Sequence, residues 1–430
     1  MTAELAVSPL ELWGGVECSV VRVGDTWRDQ VRETGHHGRG LDDLARIAAL
    51  GIRTLRYPVL WERVAEEQPD ACGWAWHDRQ LDALQRHGIG IVAGLLHHGS
   101  GPRSTSLLDP LLPERLAAHA ARVADRYPFV DLWVPVNEPL TTARFSCLYG
   151  HWYPHLHDEA AFLRAVVTQC RAVLLSMRAI RARVGNAHFL QTEDIGRVFS
   201  TAPLTDQAGY ENGRRWLSLD LLCGRVDRRH PWRRALEKCG IPVAWLDELR
   251  TGEAAPDVLG INHYVTSDRF LDHRLRLYPA SMHGGNGRQA YVDTEAVRVG
   301  LAQGETGWVP RLREVWDRYR RPMVIGEAHL GCDDPDESVR WLAEAWHAAG
   351  TLRADGADVR AVTAWALFGL VDWHVLLRER HDLYEPGAFD ARFKPPRPTR
   401  IVAAMEAFVR DGNFVDPALD SPGWWRAPMG

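Results

Sequence analysis

A single closed (β/α)8 barrel with long βα loops, spanning residues 1–430 as one domain, is the fold the sequence predicts, and three observations predict it. Apolar runs of strand length alternate with helical patterns through eight successive units. Polar and acidic residues gather where those runs stop, which in such a barrel is the face that carries the active site. No Ser- or Gly-rich linker divides the chain, and barrels of this kind grow by loop insertion.

Glu11 to Val16 reads as the first strand and leads into an irregular polar stretch through Gly40. Apolar positions at helical spacing mark Leu41 to Leu50, and Gly51 stops that helix in the usual way. Ile52 to Pro58 follows as a second strand whose proline marks the exit. A helix from about His77 to His87, a Gly88 stop and a strand from Ile89 to Leu96 run into His97-His98-Gly99, with little room for hairpins. A helix from about Pro113 to Arg126 precedes Leu132-Trp133-Val134-Pro135-Val136-Asn137-Glu138, an apolar run ending on an amide and a carboxylate. The long helix Glu159 to Arg183 leads to a fifth strand, Ala187 to Thr192, and then Glu193-Asp194.

Helical patterns over Asp206 to Leu222 and Pro231 to Lys238 precede a sixth strand, Asp257 to Asn262, followed by His263-Tyr264. Residues 266–307 are the least regular stretch and are expected to form a long loop insertion over the active-site face. A helix from Trp308 to Tyr319, the strand ending on Gly326-Glu327, a helix from about Glu337 to Asp355, a strand from Val359 to Leu367 and a closing helix from Thr399 to Val409 complete the units.

Composition narrows the function. A formal charge of −5 disfavours nucleic acid or an anionic membrane as partner. The seven cysteines form no CxxC pair, which argues against a disulfide framework or zinc ribbon and fits a reducing cytoplasm. No signal peptide is expected, because Met1 to Leu10 lacks a basic segment followed by a long apolar one, and no membrane span, because no apolar run approaches eighteen residues. The eighteen tryptophans are unusual; an indole face suits a sugar ring, although most tryptophans pack in cores.

Glu138 and Glu327 share a design, each closing a buried apolar run. On one parallel barrel both open onto the same face. Two facing carboxyls, one kept protonated by burial and by its neighbour's charge, are what cleavage of a glycosidic bond requires. Asn137-Glu138 alone would equally cap a helix; the partner glutamate tips the reading to catalysis. Arg56 would hold a neighbouring carboxylate ionised, the plainer alternative being a surface ion pair, and Tyr264 would donate to the same carboxylate. Trp365 and Trp373 bracket Asp372 after the last strand, a pairing of apolar ring faces with a hydroxyl acceptor, against core packing as the alternative. Glu17, Asn262, Glu193 and Asp194 are further polar groups at strand ends, the acids being equally readable as solvated loop residues.

No metal and no cofactor are expected. His97 and His98 are adjacent on a strand and point to opposite sides, and the one HxH pair, His155-Leu156-His157, has no third ligand at fixed spacing. Gly285 to Ala290 has the letters of a dinucleotide fingerprint but follows no apolar strand and opens no helix, so a flexible loop is expected there.

On these residues the chain resembles glycoside hydrolase family 1, the retaining β-glycosidases, over nearly its whole length. Asn137-Glu138-Pro139 resembles the family's acid/base motif, and Ile325-Gly326-Glu327 the strand carrying its nucleophile. Leu12-Trp13-Gly14-Gly15, Leu55-Arg56-Tyr57-Pro58, Gly260 to Tyr264 and Trp365-Ala366-Leu367 fall in family order. The resemblance implies that Arg56 and Tyr264 attend the nucleophile, that Asn137 binds the sugar 2-hydroxyl, that His97 contacts ring hydroxyls and that Trp365 is the sugar platform. Ala328-His329 replaces the family's Asn-Gly, Asp372 stands where a glutamate reads the 4- and 6-hydroxyls, and Val21 lies near the place of a glutamine. These departures fall on sugar recognition and leave the catalytic pair intact. The wording of residues 17–25, 191–196 and 283–288 resembles a divergent branch often fused to dTDP-4-dehydrorhamnose reductase domains.

The expected function is hydrolysis of a small-molecule β-glycoside by double displacement, with Glu327 as nucleophile and Glu138 as acid/base, their carboxyls roughly 5 to 5.5 Å apart. Transfer of the sugar to an acceptor other than water, and sugar binding without catalysis, are the rival readings.

Overall fold

The computed structural model describes residues 8–67, 71–300 and 304–427. Eight parallel strands close into a barrel: β1 Glu11–Gly15, β2 Thr54–Pro58, β3 Gly90–Gly94, β4 Leu132–Val134, β5 His188–Asp194, β6 Val258–Asn262, β7 Met323–Ala328 and β8 Val359–Ala364. Each strand pairs with its sequence neighbour, and β1 closes the ring by pairing with both β2 and β8. Successive side chains of a strand alternate between faces. Trp13, Val92, Val134, Leu190, Val258, Val324 and Ala361 accordingly plug the barrel interior from seven strands, while their neighbours pack against the helices. On β2 it is Leu55 and Tyr57 that face the helices, which turns Arg56 inward.

The helix Glu159–Arg181 packs on Leu112–Arg126. Among the described helices it alone is long and apolar enough to cross a bilayer, although no unbroken apolar run is that long, and 78% of its apolar window is buried inside the fold. Burial in the outer layer accounts for that composition.

Four stretches differ from expectation. The polar stretch after β1 contains an antiparallel hairpin, Val20–Val23 with Thr26–Asp29, turning at Gly24 in left-handed geometry. The described residues of 266–307 are not a structureless loop. Arg269–Asp272, Ala290–Glu295 and His283–Gly285 form a sheet that the outlying strand Val198–Ser200 completes. Within it, the fingerprint-like Gly285 to Ala290 is an ordered turn, the Asn286 side-chain oxygen accepting from the Arg288 and Gln289 amides. An unanticipated helix, Val243–Leu249, precedes β6, and Glu193-Asp194 belong to β5 itself.

Candidate active site

Proline ends the β4 ladder at Pro135, because it has no N–H to give. Pairing resumes two residues on: Asn137 bridges to His97, its amide donating to Leu96 O at 2.9 Å, and the Glu138 amide donates to Thr192 O at 3.1 Å. Glu138 then takes up left-handed geometry, φ +45°, and opens the short helix Pro139–Ala143 with proline at its first position. A non-glycine residue held there costs about 1–3 kcal/mol and persists only where its surroundings impose it. Glu193 helps impose it. Its two oxygens accept from the Leu140 amide (3.0 Å), the Thr141 amide (3.4 Å), Thr141 Oγ1 (3.3 Å) and Ser218 Oγ (2.7 Å). Glu193 is thus no sugar contact; its oxygens are taken by the helix that Glu138 opens.

On the opposite side, β7 breaks register with β6 between Ile325 and Glu327, which sets Glu327 against Asn262. Gly326 permits this, since a Cβ there would lie 2.4 Å from Asn262 Oδ1. Arg56 ties the two strand ends together. Its Nη1 donates to Gly326 O at 2.5 Å and Glu327 Oε1 at 3.1 Å, and its Nη2 donates to Asn137 Oδ1 at 3.1 Å. Thr192 Oγ1 donates to the same Asn137 oxygen at 2.6 Å, so the Asn137 amide nitrogen must face the other way, toward His97 Nε2 at 3.2 Å. Tyr264 donates a hydrogen bond from its hydroxyl to Glu327 Oε2, and Asn262 Nδ2 donates to Glu138 Oε1 at 2.6 Å.

The two glutamates are electrically unlike. Burial raises both carboxyls. For Glu138 the charges of Glu327, Asp194 and Glu193 add to burial, and only the neutral amide of Asn262 opposes, so its pKa stands well above the ordinary value. Burial lifts Glu327 only to about 7, because the Arg56 guanidinium and the Tyr264 hydroxyl both favour its charged form. Of the two, Glu327 therefore ionises first and Glu138 holds its proton longer. Burial, then the Arg56 charge, brings His98 down to about 3, so its approach to Glu138 Oε2 at 3.9 Å is that of a neutral ring.

The remaining predicted residues fall into place around this pair. Trp365 is 3% exposed, its ring parallel to His97 at 5.5 Å and beneath the Arg56 guanidinium at 4.6 Å, and its Nε1 donates to Glu17 Oε2 at 3.1 Å. It braces three site residues where an open sugar platform was expected. Asp372 is tied into its own loop. Buried and in left-handed geometry, it accepts from Arg28 Nη2 (2.8 Å) and from the amides of His381, Asp382 and Leu383. Three of those bonds fall on Oδ2 and only the Leu383 amide, at 2.9 Å, on Oδ1, so Asp372 holds the 372–383 loop. Asp194 accepts from the Gly196 amide and from Ser267 Oγ. His155 anchors the hairpin turn by accepting from the Gly24 amide, and no group of three or more His, Cys, Asp or Glu suited to a metal occurs among the described residues.

Thr192 and Arg28 were not anticipated. Thr192 was visible in principle, as the residue before the acidic pair on an inward-alternating strand. Arg28 lies on the unforeseen hairpin.

A closed (β/α)8 barrel presenting two buried glutamates of unlike electrostatic setting at the carboxyl ends of its strands defines the class of glycoside hydrolases. The sequence matches the profile of glycosyl hydrolase family 1 over residues 33–386, and the chain belongs to that family. It is 27% identical to beta-glucosidase A of Thermotoga maritima over 379 residues, 79% of this chain and 78% of that protein. It is 23% identical to 6-phospho-beta-glucosidase of Dickeya chrysanthemi over 363 residues, 76% and 75% of the two chains. The structure of a Thermotoga maritima beta-glucosidase in complex with cyclophellitol superposes with a TM-score of 0.73 at 15% identity, covering 95% of this chain and 98% of that one, which shows the shared fold.

Proposed function

We propose that this protein is a retaining β-glycosidase that works by double displacement on a small-molecule glycoside. The observation that carries the reading is the unequal treatment of the two carboxyls: Glu327 receives a guanidinium and a phenol, Glu138 an amide alone. Charged Glu327 attacks the anomeric carbon while the bond to the leaving oxygen breaks, and Glu138 gives that oxygen its proton. Glu138, now a carboxylate, takes a proton from water as the water attacks the same carbon and displaces Glu327. Tyr264, whose hydroxyl burial and the nearby glutamates keep protonated, holds Glu327 in line, and Asn137 and His97 are left to meet sugar hydroxyls. The seven free cysteines accord with action in a reducing cytoplasm.

Incubation with an activated 2-deoxy-2-fluoro-β-glycoside tests the assignment. Peptide mass analysis is expected to find the sugar on Glu327. Labelling at another residue, or undiminished turnover of an aryl β-glycoside by Glu327→Ala, would overturn it.

A further inference from the structure

Resting on the glycosidase reading, we propose that Ser267 and Asp194 are positioning residues for the nucleophile: they fix the turn that carries Tyr264 and so set the reach of its hydroxyl to Glu327. Tyr264 lies two residues past β6, in a turn that Ser267 closes twice. The Ser267 amide donates to Tyr264 O at 3.0 Å, and Ser267 Oγ accepts from the Tyr264 amide at 2.9 Å. With a lone pair so engaged, the serine hydroxyl donates its hydrogen to Asp194 Oδ2 at 3.1 Å. The other Asp194 oxygen accepts from the Gly196 amide at 3.0 Å, which ties the carboxylate into the turn that leaves β5.

Asp194 and Glu327 are in register with Asn262 from its two sides, so this strap starts in the same row of residues as the nucleophile. Glu193 turns outward to Leu140, Thr141 and Ser218, and strand alternation turns Asp194 the other way, toward the mouth. A Cβ at Gly196 would lie 2.0 Å from Ser267 O, so the turn bearing Tyr264 rests backbone to backbone on the turn after β5. The titratable and charged groups that act on Glu327 are Arg56 on β2, Glu17 and Cys18 after β1, Glu138 after β4, and Tyr264. Among these described residues Ser267 bonds Tyr264 alone. The phenol is thus the route by which Ser267 reaches the nucleophile, and its hydroxyl favours the charged form of Glu327. Asp194 also acts on Glu138 through its charge, so Ser267 is the member of the strap whose effect is read without that addition.

Profiles of kcat/KM against pH on a 4-nitrophenyl β-glycoside, taken beside thermal melts of the intact protein, test this. Ser267→Ala is expected to lower kcat by about tenfold. It is also expected to move the acid limb, which reports ionisation of Glu327, upward by about half a pH unit or more, because a displaced phenol no longer favours the charge. In a Tyr264→Phe background, which lacks the hydroxyl, Ser267→Ala is expected to move that limb no further. An acid limb that Ser267→Ala leaves in place, or moves equally in both backgrounds, overturns the inference while the glycosidase reading stands. Gly196→Ala crowds the same turn with the serine hydroxyl intact, and it decides the matter if Ser267→Ala does not fold. It is expected to move the acid limb in the same direction, and an unmoved limb in the folded variant overturns the inference. Failure of the wild type to cleave any aryl β-glycoside, together with no fluorosugar on Glu327, overturns the glycosidase reading and this inference with it.

Discussion

Asn262 and Glu138, 124 residues apart in the chain, share a 2.6 Å hydrogen bond in which the amide donates to the carboxyl. This bond favours the charged form of Glu138 against burial and three neighbouring carboxylates. Asn262→Ala is therefore expected to raise the Glu138 pKa further and to move the basic limb of the kcat/KM profile to higher pH, since the acid then keeps its proton longer. A pH–rate profile on an aryl glycoside checks this, and an unmoved basic limb would show that the amide does not tune the acid.

Arg56 divides its guanidinium between Glu327 and Asn137. A lysine ammonium is a point charge and lacks the fork needed to reach both. Arg56→Lys is expected to lower kcat on the order of 100-fold through misplacement of the nucleophile, with a smaller change in KM. Steady-state kinetics beside a thermal melt distinguishes this from loss of fold.

Glu193 accepts four hydrogen bonds at the start of the helix that Glu138 opens. Glu193→Ala leaves buried N–H and O–H groups without acceptors, at about 1–3 kcal/mol each for groups that find no water. Both the melting temperature and kcat are expected to fall, with kcat for Glu193→Gln lying between alanine and wild type. Full activity in the alanine variant would show that Glu193 does not position Glu138.

Glu62 lies buried beneath the turn after His97, one oxygen accepting from the Gly101 amide at 3.1 Å and the other without a partner. Burial raises its pKa to about 8. A carboxyl raised on folding contributes stability that is present below its unfolded pKa and is lost as pH climbs through the folded value. Wild type should therefore lose stability between about pH 5 and 8, at no more than about 1.4 kcal/mol per pH unit from this group. Denaturant unfolding across that range is expected to show a shallower decline in Glu62→Gln. Identical slopes would place the ionisation elsewhere.

The barrel was legible because its strands are apolar runs that end on polar residues, a pattern local to each unit. The same locality revealed Glu138, Glu327 and Arg56, all of which the structure gathers at one mouth. The hairpin after β1 carried a readable signal, Gly24-Asp25 between two short alternating segments, but one too brief to stand out from polar loop. The roles of Glu193 and Asp372 could not be read in advance, because their partners are backbone amides set by loop geometry and an arginine 344 residues away. Trp365 misled for a related reason: a tryptophan at a strand end has the same letters whether its face is open or covered by His97 and Arg56.

Arg56 joins the end of β4 to the end of β7 through one planar, rigid group. The gap between Glu138 and Glu327 is consequently gauged by a third side chain, itself seated on the Trp365 ring. Substitutions at Trp373 or Trp152 touch none of the hydrogen bonds by which Arg56 holds the two strand ends.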